Sequence, residues 1–434
     1  MINYAGIFCL TAFVLNPLLF QERTSSMDFR PQLRFVDAFP VETENGEMIA
    51  LRDPSGIARD TILLSRMAVF ILQYFTGEHD VETILRILTR DASLELEKKQ
   101  LLDLIKTLDE NLFLQNERYL EAKKIMETEF IASGIRTATY AGASYPADRE
   151  ELNATLVNFY QEEGGAGVPG PVNGLPTPAG VIAPHIDLRI GGATYTHAYK
   201  AMVESPVADV YVIIGTGHSG LKNIYSVLPI DFETPLGRVE TDKDFIKNLQ
   251  ANTNRDYSAD VLLHKTEHTI EFQVVFLQQA FADKPFKIVP VLASFNYQML
   301  EDPYFKPDQE CIEDFTTALK KTINEYPGKV TVLASVDMAH VGPRYGDKNI
   351  PDDGFLADVR QADMNALEFV KAADARGWAK AISDIEDKYR ICGFAPIYTL
   401  LSSTDAKQGK VLKYDKGVMD DNESVVSYCS AVLY

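Results

Sequence analysis

Seven histidines occur in the 434 residues, at His79, His185, His197, His218, His264, His268 and His340. All but His79 fall between 185 and 340, and three follow or end apolar runs. VIAPH ends in His185, YVIIGTGH in His218, and VTVLASVDMAH carries both Asp337 and His340. Short apolar runs read as buried strands. In an open α/β sheet, ligands bind in the crevice outside the carboxyl ends of the strands. Three such strands would aim imidazoles and a carboxylate into one place, where they suit a shared metal ion or acid–base chemistry. Separate structural histidines, each capping an element through one hydrogen bond, explain three plus an aspartate less well.

Other residues qualify more weakly. In EHTIEF, His268 and Glu271 stand three apart, a spacing that shares a helix face; an outer-layer or surface pair competes with direct metal ligation. Cys392, in RICGFAPI, precedes a Pro396 suited to a helix's first turn, and a thiolate there could hold a soft or borderline metal. On residue type alone a small buried hydrophobe is the better reading. His197 and His264 read as ordinary, and Cys429 as part of a core strand. Asp187 and Arg189 follow His185 at a strand's end, where polar groups need partners.

The elements that would position these groups follow from patterning. The runs VIAP, DVYVIIG, FKIVPVLAS, KVTVLASVD and SVVSYCSAVLY alternate with helical patterns such as TYTHAYKAMV, EHTIEFQVVFLQQAF and CIEDFTTALKKTI. That alternation predicts an α/β layered domain with a mainly parallel central sheet over residues 137–434. The Gly- and Pro-rich stretch Gly164–Gly180 reads as a loop within it. Residues 27–130 form a separate module. A hairpin is expected around Glu44-Asn45-Gly46. Three helices follow, DTILLSRMAVFILQYF, DVETILRILTR with Asp80 as its cap, and LELEKKQLLDLIKTLDENLFL. Hairpin plus helices suggests a small winged-helix-like domain. Its 20 acidic and 13 basic residues disfavour DNA as its ligand.

Composition sets the remaining bounds. A formal net charge of −20 argues against nucleic-acid binding, which needs clustered Lys and Arg. Four cysteines without a CxxC pair indicate neither a disulfide framework nor a zinc ribbon, so a reducing cytoplasm is the simplest setting. Residues 1–26 begin with an apolar stretch, MINYAGIFCLTAFVLNPLLF, short for a membrane span and lacking a basic lead or an obvious cleavage site. A mis-called start with translation from Met27 competes with export for that segment.

The motifs YAGASYPAD, VIAPHIDLRIGGATYTHAY, IIGTGHSG, FETPLGRVETD, EHTIEFQ, SVDMAH and ICGFAPI resemble the Memo family, specifically the bacterial AmmeMemoRadiSam system protein B. The likeness covers almost all of residues 137–434. It implies the fold of class III extradiol dioxygenases, and His185, His218 and Cys392 as ligands of non-haem iron or copper. It places Asp337 and His340 beside the metal, His340 as the acid–base group oriented by Asp337, with His268 and Glu271 lining the pocket. Where many relatives carry Ala-Gly-Tyr, this chain has Ile186-Asp187-Leu188-Arg189, so Asp187 and Arg189 are candidates for substrate contact. FRPQLRFV and FTGEHDVETILRIL resemble, more loosely, the PqqD-like domains that bind peptides for radical-SAM enzymes. Both likenesses imply a radical-SAM partner, and a peptide or small molecule as ligand. Dioxygenase-like oxidation, a non-catalytic binding or adaptor role, and metal-assisted hydrolysis are the three functions to separate.

Overall fold

Each of the five apolar runs forms a strand, and all five join one sheet. The computed structural model describes residues 29–434 except 45, 54, 92, 93, 222 and 283. The expectations placed on residues 1–26, Met27, Cys9 and Asn45 lie outside the described residues. The chain divides into two units, one ending at Met126 and the other spanning Glu127–Tyr434.

In the first unit, β1 (Asp37–Thr43) and β2 (Gly46–Arg52) pair as the expected hairpin, with Thr43 opposite Gly46. A third strand, β3 (Ile62–Leu64), pairs with β2. The helices α1 (Arg66–Leu72), α2 (Val81–Asp91) and α3 (Lys98–Glu110) follow, and α4 (Glu117–Ser133) runs across the division at Met126. The single helix expected over 60–75 is therefore a strand and a shorter helix. Ser65 divides them, its hydroxyl accepting from the Ala68 N–H as an N-cap. Asp80 caps α2 as expected, accepting from Thr83 N at 2.7 Å. Helical spacing sends Ile84 and Leu88, then Leu101, Ile105 and Leu108, into one apolar core with Leu51, Phe75 and Phe113.

The second unit contains β4 (Ile135–Arg136), α5 (Arg149–Gln161), β5 (Gly180–Ala183), α6 (Leu188–Val203), β6 (Val210–Thr216), β7 (Tyr225–Val227), β8 (Asp231–Thr234) and β9 (Gly237–Val239). Then come α7 (Lys243–Ala251), α8 (Leu263–Thr266), α9 (Thr269–Ala280), β10 (Lys287–Ala293), α10 (Gln298–Glu301) and α11 (Lys306–Glu325). It closes with β11 (Val330–Ser335), β12 (His340–Val341), α12 (Asp353–Lys371), α13 (Ala375–Ser383), α14 (Phe394–Ser403), β13 (Gly409–Val418) and β14 (Val425–Leu433).

The main sheet runs β12-β14-β5-β11-β6-β10-β7, with β13 paired to β14. Its centre, β5-β11-β6-β10, is parallel; β7, β12, β13 and β14 are antiparallel additions. The expectation of a mainly parallel sheet thus holds for the four central strands, and the whole sheet is mixed. Period-two alternation builds the layers. Val210, Val212 and Ile214 pack with α11, α12 and α14, whereas Tyr211 and Ile213 pack with α5, α6 and α9. Two apolar layers cover the two faces, as an α/β layered domain requires.

Register brings the chemistry together. Ser335 of β11 lies beside Ala183 of β5 on one side and Gly215 of β6 on the other. Two residues beyond Ala183 and Ser335 come His185 and Asp337, and three beyond Gly215 comes His218. The three adjacent parallel strands therefore release these side chains at one edge.

Candidate metal centre

His185 forms the floor of the crevice and is 2% exposed. Its Nδ1 lies 2.9 Å from the Ser335 carbonyl oxygen. A carbonyl can only accept, so Nδ1 carries the proton and Nε2 keeps its lone pair. That Nε2 stands 3.3 Å from Cys392 Sγ and 3.6 Å from Asp337 Oδ2. Asp337 Oδ1 accepts from the backbone N–H groups of His185 and Ile186, at 3.0 and 3.1 Å. Burial pushes the Asp337 carboxyl up to about 7 despite those two donors. Burial also holds His185 well below the usual imidazole range, with His218 and His268 adding to the effect.

Cys392 arrives from the loop before α14. An added Cβ at Gly393 would lie 2.6 Å from the Asp337 carbonyl oxygen and 2.8 Å from Val336 Cβ, so glycine permits this close approach. The Gly393 N–H donates to that same carbonyl at 3.0 Å. Burial, followed by the neighbouring Asp337 charge, pushes the Cys392 thiol well above its usual range. Such a thiol is a poor free nucleophile. A bound cation reverses this, because a coordinating thiol loses its proton.

His218 sits at the rim, its side chain 41% exposed. Its Nδ1 is 3.1 Å from Glu267 Oε2, and the Nδ1 of His268 is 3.0 Å from Glu267 Oε1. One carboxylate thus bridges two imidazoles. Burial opposes protonation of His218, but Glu267 outweighs it and the net shift is upward. Burial would raise Glu267, and the two imidazoles instead hold it well below its usual range. The three rings of His185, His218 and His268 lie 5.2 to 5.3 Å apart, centre to centre. Donor atoms of His185, His218 and Cys392 fall within 4.8 Å of one another, close enough to share an ion. A second group, His218, Glu267 and His268, meets the same spacing. The Nδ1 atoms of its histidines are, however, already hydrogen-bonded to Glu267.

The family profile described as Memo-like protein matches residues 136–432. The chain belongs to the Memo family. It is similar to the MEMO1 family protein of Aquifex aeolicus (strain VF5), 28% identical over 411 residues, covering 93% of this chain and all of that protein. A MEMO1 family protein of Thermococcus kodakarensis is 31% identical over 313 residues, covering 69% of this chain and 99% of its own length. One from Thermotoga maritima is 30% identical over 305 residues with the same coverages. The Aquifex match takes in most of the unit ending at Met126, while the other two leave nearly a third of this chain unmatched.

Within this Memo chain some expected residues take other places. Glu271 is directed away from the imidazoles. Its carboxylate binds the Arg136 guanidinium, the Tyr145 hydroxyl and the N–H groups of Thr139 and Tyr140. His268 is the N-cap of α9 and turns to Glu267 while Glu271 turns to Arg136, so their spacing of three does not make them a pair. The unforeseen partner is Glu267, immediately before His268. Asp337 does not orient His340: its bonds go to His185 and Ile186, while His340 Nδ1 is 3.0 Å from the Met338 carbonyl oxygen. Burial lowers His340 to about 4, and it feels the charge of His218. Tyr345, not anticipated, packs edge-on against His340 at 5.0 Å.

Asp187 caps α6 and grips Arg189 through two oxygens, at 2.8 and 2.7 Å. His197 Nε2 meets the Gly164 carbonyl and His264 Nε2 faces Ser226, both outside the cluster. Cys429 is buried in β14. Among the described residues no helix is long and apolar enough to cross a membrane.

Proposed function

We propose that the crevice is a metal site in which His185, His218 and Cys392 hold one iron or copper ion, serving a dioxygenase-like oxidation. The convergence of those three donors within 4.8 Å carries the reading. Two imidazoles and a thiolate suit iron or copper better than magnesium or calcium. Both histidines are pre-set as ligands, each with Nδ1 committed to an acceptor, and the Nε2 of His185 already faces Cys392 Sγ. When bound, the ion supplies Lewis acidity and one-electron chemistry towards dioxygen. His340, held by Met338 and within the field of His218, is the group that would move a substrate proton. Asp337 keeps the backbone of His185 and Ile186 fixed beside the ion.

Metal analysis of protein purified without added metal tests the site. Near-stoichiometric iron or copper is expected, falling sharply in His185→Ala and Cys392→Ser variants that keep their circular dichroism. Metal retained by both variants would contradict it. Oxygen uptake with a panel of catechols tests catalysis; none with the metal in place would leave a ligand-binding pocket.

A further inference from the structure

The geometry points to Glu267 as a positioning residue that sets the tautomer of two imidazoles at once, one a metal ligand and one not. This rests on the metal reading above for its consequence, though not for its geometry. Glu267 Oε2 accepts from the backbone N–H of His218 at 3.2 Å and from its Nδ1 at 3.1 Å. Oε1 accepts from the backbone N–H groups of His268 and Thr269, at 2.8 and 3.2 Å, and from His268 Nδ1 at 3.0 Å. Five donors converge on one buried carboxylate, and an ionised carboxylate only accepts. When neutral, both rings must therefore bear their proton on Nδ1 and keep a lone pair on Nε2.

The carboxylate is itself held in place. Arg136 donates to the carbonyl oxygens of His264 and Glu267 at 3.0 and 2.9 Å, fixing the backbone that leads into it. At β6 an added Cβ on Gly215 would lie 2.3 Å from Thr269 Oγ1, so only glycine lets the start of α9 come this close to the His218 strand.

Two donors on Oε2 and three on Oε1 make the consequence of Glu267→Gln specific. Backbone protons cannot move, and two face Oε1 against one facing Oε2. The amide oxygen of glutamine therefore belongs at Oε1, its NH2 faces His218, and the bond from the His218 backbone N–H is lost. His218 must then turn its bare Nδ1 to that NH2 and carry its proton on Nε2, where a metal would bind. His268 keeps its tautomer.

Histidine 15N–1H correlation spectra of the metal-free protein, at alkaline pH where the rings are neutral, read this directly. In the wild type His218 and His268 are both protonated on Nδ1; a His218 protonated on Nε2 would overturn the proposal without any variant. In Glu267→Gln, His218 switches to Nε2–H while His268 does not. Titration with Co2+, followed by the thiolate-to-cobalt absorption, then shows affinity falling about 10–100-fold with the saturated spectrum retained. His268→Ala stays within about threefold of the wild type. An unchanged tautomer and affinity in Glu267→Gln would refute the role of Glu267. Co2+ binding that survives His185→Ala and Cys392→Ser would refute the metal reading and leave the tautomer result to decide the proposal.

Discussion

The floor and the rim of the crevice hold their imidazoles by different means. At the floor, His185 is fixed by backbone: the Ser335 carbonyl accepts its Nδ1–H, and strand register puts that carbonyl there. At the rim, His218 and His268 are fixed by a side chain, the Glu267 carboxylate, which reaches His218 from 49 residues away. The floor is therefore as rigid as the sheet, whereas the rim is as rigid as the loop before α9. Single side-chain changes should disturb the rim more than the floor.

The largest effect is expected at the support of the rim. Arg136 and Glu271 are both fully buried, and Arg136→Met leaves the carboxylate without its counter-charge. Breaking such a pair costs about 3–5 kcal/mol, to be measured by urea denaturation. Loss of less than about 1 kcal/mol would show that the rim is not held this way. At the floor, Asp337→Ala orphans the N–H groups of His185 and Ile186. It also removes a costly buried carboxyl, so a smaller net loss of about 2 kcal/mol is expected. If Asp337→Ala exceeds Arg136→Met in the same titration, the floor depends on side chains more than the register implies.

A buried acid belonging to neither region supplies the baseline. Asp363 binds Ser427 and Tyr414 through Oδ2, while Oδ1 has no partner, and burial raises it to about 6. The folded state then binds more protons than the unfolded state between the ordinary carboxylate range and about pH 6. Stability is lost as pH rises through that window. Asp363→Asn lacks this loss, so its stability relative to the wild type should rise by about 2 kcal/mol from pH 4 to pH 7. A flat difference would show that folding does not raise the Asp363 pKa.

The same contrast explains what the sequence made legible. Strand ends are readable from apolar runs, so His185, His218 and Asp337 could be placed in one crevice before their contacts were known. The carboxylate that serves the rim was not readable. HxxE spacing singled out Glu271, but its carboxylate answers to Arg136 instead. Arg136 is 135 residues from Glu271, a distance over which no local pattern speaks. Helix α4 was missed because only Tyr119 of its residues is buried, leaving no apolar stripe. Strand β13 escaped for a related reason: it is a half-exposed edge, rich in lysine, without a continuous apolar run.

The central claim is where the ion sits. Crystals of protein purified with its own metal, measured above and below the iron and copper absorption edges, would locate it by anomalous difference density. A single peak within bonding distance of His185 Nε2, His218 Nε2 and Cys392 Sγ is the predicted result. A peak between His218, Glu267 and His268 that leaves Cys392 unbound, or no peak in metal-replete protein, would contradict it.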